Sequence, residues 1–229
     1  YNMDLGKVDY HWCDALFMSG MVYTELTKLT GDPVYSDTEY KSYKEWYEKL
    51  YSPDNDLWYR DLGYVGKTTP SGKPIFWSRG NAWVFAYLAR QLSYLKDRDS
   101  DMYQRYIADY KKLAVSLKPL QRPDGTWNSC LNDDTYFGGK ETTGTAGFFY
   151  GYTIGVQLGI LDADEYLPVA MKAYDALTGV CMEVPGRIGY MEKEAADPGN
   201  YVSEEYSRPL MNSFGTGLFL MGASALARM

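Results

Sequence analysis

The chain has 229 residues, of which 45% are hydrophobic and 23% are charged, and its formal net charge is −7. This is an ordinary composition for a globular protein that can bury one sizeable core or two small ones. The acidic balance without a basic block argues against nucleic acid as a partner. No apolar run approaches the ~20 residues of a membrane span, so no membrane partner is expected either.

Two scarce residue types limit the available chemistry. Three cysteines (Cys13, Cys130 and Cys181) without a CxxC spacing argue against a disulfide framework and a zinc site, and weakly favour a reducing compartment. His11 is the only histidine, so a histidine-based metal cluster or a Ser-His-Asp triad has to use it. Aromatic residues, in contrast, make up 16% of the chain, and such rings either stack on sugars or fill a core.

Apolar helices alternate with charged, amphipathic helices along the chain. The apolar helices are predicted from Asp14 to about Thr30, from about Arg79 to Leu95, from Glu141 to about Gly159 and from Asn212 to the C-terminus. The amphipathic helices are predicted over residues 36–50, 100–118 and 163–179. Because a helix that is apolar on all sides is buried on all sides, the apolar helices are expected inside and the amphipathic helices outside.

The apolar helices begin at a regular period. The distance along the chain is 65 residues from Asp14 to Arg79, 63 from Arg79 to Thr142 and 71 from Thr142 to Ser213. A repeat of two helices predicts hairpins stacked side by side, which here describe a double-layered α/α barrel or toroid. Three and a half hairpins do not close such a ring, so either the toroid is incomplete or its missing part precedes Tyr1.

In this arrangement the N-termini of the apolar helices meet at one end of the barrel, beside the loops 51–74, 120–140 and 181–212. The polar residues at these helix starts are Asp14; Arg79 and Asn81; Glu141, Thr142 and Thr145; and Asn212 and Thr216. Four such sets at one end predict a binding pocket. Taken singly, Asp14 is also explained as a helix-starting residue, Arg79 as the partner of a neighbouring acid, and Trp83 as part of the core.

Four ordered segments resemble those of the unsaturated glycuronyl hydrolases. Residues 11–18 (HWCDALFM) are similar to the family pattern W-x-D-x-L-F/Y-M, and residues 76–83 (FWSRGNAW) to W-A/S-R-G-N-G/A-W. Residues 141–146 (ETTGTA) are similar to E-T/S-S-G-T-A, and residues 212–223 to the closing G-x-G-A-F-L-L-A-G. The closest resemblance is to the unsaturated rhamnogalacturonyl hydrolases of glycoside hydrolase family 105.

The resemblance implies an all-α fold, the (α/α)6 six-hairpin barrel, of which this chain would be roughly the last seven of twelve helices. Residues 1–229 would then form a single catalytic domain that lacks its N-terminal helices. It also implies an oligosaccharide substrate from pectin degradation, a rhamnogalacturonan fragment whose non-reducing end carries the Δ4,5-unsaturated uronic acid that a polysaccharide lyase leaves. No cofactor and no metal is implied, and the oligomeric state is not indicated.

The reaction of the family is a hydration of the vinyl ether double bond. An aspartate protonates C4, water activated by the same carboxyl adds at C5, and the hemiketal opens and releases the neighbouring sugar. The resemblance places this role on Asp14. The helix N-terminus favours its anion, whereas packing against Trp12 and Phe17 favours the protonated acid, and the sequence leaves open which effect is larger.

The candidate substrate-binding residues are His11, Trp12, Met18, Arg60, Arg79, Asn81, Trp83, Thr142 and Thr145. Trp83 would stack on the unsaturated ring, and the planar guanidinium of Arg79 would meet a substrate oxygen or carboxylate. At one position the chain departs from the family: the F/W-Y-H-G histidine is replaced by Arg60, which would bind the uronate carboxylate, with His11 compensating.

Two other functions stay open from the residues alone. Inverting hydrolysis of a saturated glycan needs two carboxylates, for which Asp14 with Glu141 or Asp61 would be required. The second alternative is a helical scaffold or a carbohydrate-binding remnant without activity. An open toroid excludes water poorly, which weakens acid catalysis.

Overall fold

The computed structural model describes residues 12–95, 97–184, 186–192 and 213–229, and for 183 and 184 it describes the backbone alone. Seven α-helices make up most of these described residues. The predicted His11 and Asn212 lie outside the described residues. The helices are α1 (Ala15–Thr30), α2 (Val34–Leu50), α3 (Ser78–Tyr94), α4 (Asp101–Leu117), α5 (Thr142–Gln157), α6 (Ala163–Thr178) and α7 (Ser213–Leu226). The all-α prediction is confirmed, and the helix bounds differ from the predicted ones by a few residues.

The hairpin order is also confirmed. Helix α3 packs against α1, α4 and α5, while α5 packs against α3, α6 and α7. The amphipathic helices α2, α4 and α6 therefore lie outside the row formed by α1, α3, α5 and α7. Helix α2 begins two residues earlier than predicted because the Asp32 carboxylate accepts the N–H of Val34 at 3.0 Å and Pro33 supplies a helical φ of −68°.

Small residues bring the central helices close together. A Cβ added at Gly147 would lie 2.7 Å from the Cβ of Ala82, and one added at Gly151 would lie 2.1 Å from the ring of Phe85. These contacts join α5 to α3, so the glycines are required by close approach of two helices.

The prediction that every apolar helix is buried on all sides is wrong at the two flanks. Nearly every residue of α3 is buried, whereas on α1 only Leu16 and Gly20 are, and Val22 is 57% exposed. On α7 the side chain of Leu220 is likewise 58% exposed. Each flank helix packs against one inner helix only, so its outer apolar side chains have no covering element among the described residues.

Short backbone pairings fasten the loops to the helix starts. Strands β1 (Tyr51–Ser52) and β2 (Leu57–Trp58) form an antiparallel hairpin, as do β3 (Met182–Val184) and β4 (Arg187–Ile188). Isolated bridges pair Trp12 with Asp61, Trp77 with Cys130 and Trp127 with Glu141. The loops therefore meet the N-terminal ends of the helices as fixed segments. Within the part of the chain that is described, no helix is long and apolar enough to cross a membrane.

Candidate active site

A cavity of about 180 Å³ lies where the N-terminal ends of α1, α3 and α7 meet. Its lining residues are Trp12, Asp14, Met18, Trp77, Arg79, Trp83 and Phe214. Five of these, all except Trp77 and Phe214, were candidate site residues from the sequence. The convergence of helix starts on one pocket is therefore present for three of the four apolar helices.

Asp14 is the residue immediately before α1, and its carboxyl group makes no capping hydrogen bond to the helix. Its backbone carbonyl accepts the N–H of Met18 at 3.2 Å, and its Oδ1 lies 3.5 Å from the donating thiol of Cys13. Burial raises the pKa of Asp14; the guanidinium of Arg79, and less strongly the thiol of Cys13 and the charge of Arg60, lower it. Burial is the larger effect, so the acid form is favoured beyond that of an ordinary aspartate.

Arg79 is 3% exposed and contacts aromatic rings on two sides. Its Cζ lies 4.4 Å from the ring centroid of Trp77 and 5.2 Å from that of Phe214. Its Nη1 donates to the backbone carbonyl of Glu192 at 3.1 Å and lies 3.8 Å from the Glu192 carboxylate. The ion pair with a neighbouring acid is thus real, and the same side chain also lines the cavity.

Trp83 likewise combines a core position with a place in the cavity wall. It is 5% exposed, and its ring centroid lies 4.9 Å from that of Phe17 and 6.4 Å from that of Phe214. Met18, one turn into α1, is half exposed at the same cavity. Aromatic faces and a thioether of this kind suit the apolar face of a sugar ring.

Arg60 lies behind the cavity wall and is not one of the lining residues. Its Cζ is 3.6 Å from the ring centroid of Trp12, and its Nη1 donates to Asp61 at 2.5 Å. Its backbone carbonyl accepts the N–H of Cys13 at 2.9 Å. The structure therefore shows Arg60 supporting Trp12, and its contact with a substrate carboxylate stays a prediction.

Three other candidates have buried side chains that bond to the backbone. The Asn81 amide accepts the N–H of Trp58 at 2.9 Å and donates to the carbonyls of Trp58 and Trp77 at 3.0 and 2.9 Å. The hydroxyl of Thr142 donates to the carbonyl of Gly189 at 2.7 Å. The hydroxyl of Thr145 donates to the carbonyl of Glu141 at 2.6 Å. None of the three lines the cavity, so their substrate contacts also stay predictions.

Asp14 is the only carboxylic acid among the described residues that line the cavity. The two carboxylates considered as its partner are engaged elsewhere. The oxygens of Glu141 accept the N–H groups of Thr143 at 2.9 Å and Gly144 at 2.5 Å, and those of Asp61 accept from Gly63 at 2.7 Å and from Arg60. A single acid suits chemistry in which one carboxyl both gives and takes a proton.

Two further features lie outside the cavity. A recess of about 750 Å³ at the opposite ends of α3, α5 and α7 is lined by residues such as Arg90, Tyr150, Leu158 and Leu220; none of its described lining residues is a carboxylic acid. Among the described residues, no three His, Cys, Asp or Glu side chains are grouped so that they could hold a metal ion.

Sequence reasoning missed Trp77, Phe214 and the buried Glu192 as parts of the site. Trp77 stands directly before the Ser-Arg-Gly-Asn segment, and Phe214 stands at the start of the last apolar helix, so position within the motifs could have indicated both. Glu192 lies in a long loop with no periodicity or motif, and only the fold brings it beside Arg79.

The comparisons with known proteins agree with this fold and identify a family. The model of the family described as Glycosyl Hydrolase Family 88 matches residues 6–229. The chain is 37% identical over 227 residues to an unsaturated 3S-rhamnoglycuronyl hydrolase of Formosa agariphila, covering 95% of this chain and 58% of that protein. It is 33% identical over 223 residues to a protein of the same name from Alteromonas sp. (strain LOR), covering 96% of this chain and 52% of that protein. The chain thus spans a little over half the length of these relatives.

Solved structures give the same result for the fold. A glycosyl hydrolase family 88 protein from Bacteroides vulgatus superposes with a TM-score of 0.88 at 34% identity, covering the whole of this chain and 66% of that one. A possible member of family GH105 from Salmonella enterica serovar Paratyphi A superposes with a TM-score of 0.78 at 19% identity, covering 95% of this chain and 56% of that one. At that identity the second match shows the fold alone.

Proposed function

Because the chain belongs to glycosyl hydrolase family 88, we propose that the protein containing it removes a Δ4,5-unsaturated uronic acid from the non-reducing end of lyase-generated oligosaccharides. The observation that carries this proposal is the cavity in which one carboxylic acid, Asp14, stands among aromatic rings and the guanidinium of Arg79. The environment of Asp14 raises its pKa, which is what a carboxyl that must deliver a proton requires.

The proposed reaction uses this single carboxyl twice. Protonated Asp14 gives its proton to C4 of the double bond, and the cation that develops at C5 is attacked by water. The carboxylate takes the proton that the water loses and is thereby returned to the acid form. The hemiketal at C5 opens to a ketone, and C1, now a hemiacetal, releases the neighbouring sugar as an alcohol. No step requires a second carboxylate, and Asp14 is the single carboxylic acid among the described residues that line the cavity.

The other lining residues take binding roles in this proposal. The rings of Trp12 and Trp83 and the side chain of Met18 contact the apolar faces of the sugar, which is the ordinary use of aromatic surfaces in carbohydrate sites. The guanidinium of Arg79 donates to a substrate oxygen or to the uronate carboxylate. Burial of Arg79 strengthens that interaction, because little water competes with it.

We further infer that the sugar released is a rhamnose unit, of the kind found in rhamnogalacturonan fragments. Support for a rhamnose unit comes from the Formosa and Alteromonas relatives, both of which are named unsaturated 3S-rhamnoglycuronyl hydrolase. The assignment to the rhamnogalacturonyl hydrolases of family 105, as opposed to other members of family 88, is part of this inference.

We also propose that further helices of an (α/α)6 barrel cover the exposed apolar flanks, so that residues 1–229 are part of one catalytic domain. The support is the exposure of Val22 on α1 and Leu220 on α7, together with the greater length of the matched relatives. An aqueous flank beside the cavity would otherwise admit bulk water to the site.

The test is a 235-nm absorbance assay on the full-length protein with lyase-generated pectic and glycosaminoglycan disaccharides. Decay of the absorbance with a uronate linked to rhamnose, abolished by Asp14→Asn, is the expected result. Asp37→Asn, at an exposed aspartate on α2, is the matched control and should leave the rate unchanged. Absence of decay on every Δ4,5-uronide from a folded protein would refute the proposal.

A further inference from the structure

A buried carboxyl that does not line the cavity contacts two side chains that do. Glu192 is fully buried. Its Oε2 accepts the indole N–H of Trp77 at 2.6 Å, and its Oε1 accepts the hydroxyl of Ser129. Its backbone carbonyl and its carboxylate both face Nη1 of Arg79, at 3.1 and 3.8 Å. One residue therefore bonds to both the indole and the guanidinium in one wall of the cavity.

The segment that carries Glu192 is anchored to the start of α5. Tyr190 has a left-handed φ of 58°, a conformation that a bulky residue adopts only when its surroundings require it. Its carbonyl accepts the N–H of Thr142 at 3.0 Å, while the hydroxyl of Thr142 donates to the carbonyl of Gly189 at 2.7 Å. These bonds fix the chain two residues before Glu192, whose side chain bonds to Trp77 and Ser129.

The charges around Glu192 explain why a carboxyl can be buried there. Arg79 pairs with Glu192, and its charge also lowers the pKa of Glu141, which is itself fully buried at the start of α5. Burial and, next, the charge of Glu141 raise the pKa of Glu192, while the guanidinium of Arg79 lowers it. The bonds from Trp77 and Ser129 satisfy both carboxyl oxygens, as a buried polar group requires.

We propose that Glu192 is a positioning residue for the reaction at Asp14: it fixes the indole of Trp77 and the guanidinium of Arg79 in the cavity wall. This inference rests on the proposed function. The substrate of that function is an anion, and a carboxylate within the cavity would repel it. Glu192 avoids that repulsion because it acts from behind Trp77 and Arg79, without exposed surface of its own.

The experiment compares Glu192→Ala with Glu192→Gln in the full-length protein. The amide of the glutamine variant still accepts from Trp77 and can donate to the Ser129 hydroxyl, so it retains the positioning bonds without the charge. We expect kcat/KM on a Δ4,5-unsaturated uronide–rhamnose disaccharide to fall on the order of 100-fold in Glu192→Ala, as for displaced positioning groups, and by no more than about 3-fold in Glu192→Gln. Glu165→Ala, at an exposed glutamate paired with Lys118, is the control and should not change the rate.

A second measurement reports the contact itself. In protein labelled with ¹⁵N-tryptophan, the indole N–H resonance of Trp77 is the one missing from Trp77→Phe. That resonance should move in Glu192→Ala and stay within its usual range in Glu192→Gln and Glu165→Ala. Ser129→Ala, which removes one bond to the carboxyl, should move it less and lower kcat/KM by a smaller factor, and it decides the matter if Glu192→Ala does not fold.

Three results would overturn the proposal. Glu192→Ala, or Ser129→Ala in its place, could leave both the rate and the indole resonance unchanged. Glu192→Gln could lose as much activity as Glu192→Ala, which would show that charge and not position is needed. If the wild-type protein degrades no Δ4,5-uronide, the proposed function fails and the role of Glu192 fails with it. If the wild-type protein is active and Glu192→Ala leaves both the rate and the indole resonance unchanged, only the role of Glu192 is refuted.

Discussion

Helices α1 and α3 contribute to the same cavity but differ in how they are held. Helix α3 has neighbours on three sides and is buried along nearly its whole length, whereas α1 packs against α2 and α3 and exposes Val22 and Leu29. Both have apolar sequences. An apolar sequence therefore shows that a helix can be buried, but the number of elements packed around it determines how many of its side chains are buried. The proposed proton donor, Asp14, lies on the side with fewer neighbouring elements, and the proposed binding residues Arg79 and Trp83 lie on the buried helix α3.

The largest expected effect concerns the acid on the α1 side. Asp14→Asn should lower kcat on a Δ4,5-uronide by about 10²–10⁴-fold with little loss of stability, since the residue makes no helix-capping bond. In the proposed mechanism the active form is the protonated acid, so kcat/KM should fall as pH rises through the pKa of Asp14. Burial raises that pKa, so the fall should come at higher pH than for an ordinary aspartate. A rate that increases with pH across this range would contradict the role of Asp14.

The next effect measures the difference in burial directly. Leu88→Ala on α3 removes a fully buried side chain and should lower the free energy of unfolding by about 2–5 kcal/mol. Val22→Ala on α1 should change it by less than about 0.5 kcal/mol if the exposed flank stays uncovered. Urea unfolding of the chain 1–229 and of the full-length protein gives both values. A cost at Val22 that appears only in the full-length protein would show that a further element covers α1.

A smaller effect concerns Glu39 of α2, which lies between the flank hairpin and the buried one. Its Oε2 accepts the hydroxyl of Tyr106 at 2.7 Å, and that hydroxyl lies 2.9 Å from the hydroxyl of Tyr87 on α3. Burial raises the pKa of Glu39 to about 8. At pH values between the ordinary pKa of a glutamate and this raised pKa, Glu39 is ionised in the unfolded chain and protonated in the folded chain. Stability from this group is therefore greatest at low pH and falls by about 1.4 kcal/mol per pH unit as pH rises.

Glu39→Gln should flatten that part of the pH dependence, because its amide still accepts from Tyr106 and does not ionise. The measurement is the free energy of unfolding at several pH values between 5 and 8, taken as the difference between the variant and the wild type so that other titrating groups cancel. A difference that stays constant with pH would contradict the assignment.

The smallest effect tests the contact between α1 and α3 at the cavity. A Cβ at Gly80 would lie 2.8 Å from the Sγ of Cys13 and 3.0 Å from the ring of Trp77. Gly80→Ala should therefore cost about 1–3 kcal/mol through overpacking, offset by about 1 kcal/mol of helix propensity. Gly217→Ala on α7 is the matched variant, where an added Cβ meets no atom of the described residues within 4 Å, so it should stabilise slightly. The unfolding temperatures of the two variants should shift in opposite directions. Equal shifts would show that the side chains of Cys13 and Trp77 move to accommodate the added Cβ at Gly80.

Much of the fold was predictable because period and composition are local signals. The alternation of apolar and amphipathic helices follows from the sequence, as does the meeting of helix starts around Asp14 and Arg79. The exposure of Val22 was not predictable, because it depends on which elements lie beside α1. The buried hydrogen bonds of Asn81 and Thr145 to the backbone were not predictable either. The sequence pattern of a polar residue at a helix start is the same whether its side chain faces a cavity or a loop backbone. Glu192 required the fold, because a contact across 113 residues of chain with Arg79 leaves no local pattern.

The short bridges that fasten the loops have a consequence for how the sequence can change over time. Each loop is joined to a helix start by a pair of facing residues, Trp12 with Asp61, Trp77 with Cys130 and Trp127 with Glu141. Insertions or deletions in the loops beyond these pairs are expected to change the cavity entrance without moving Asp14 and Arg79. If the proposed function holds, natural variation in these loops can change which oligosaccharides bind while the proton transfer by Asp14 is retained.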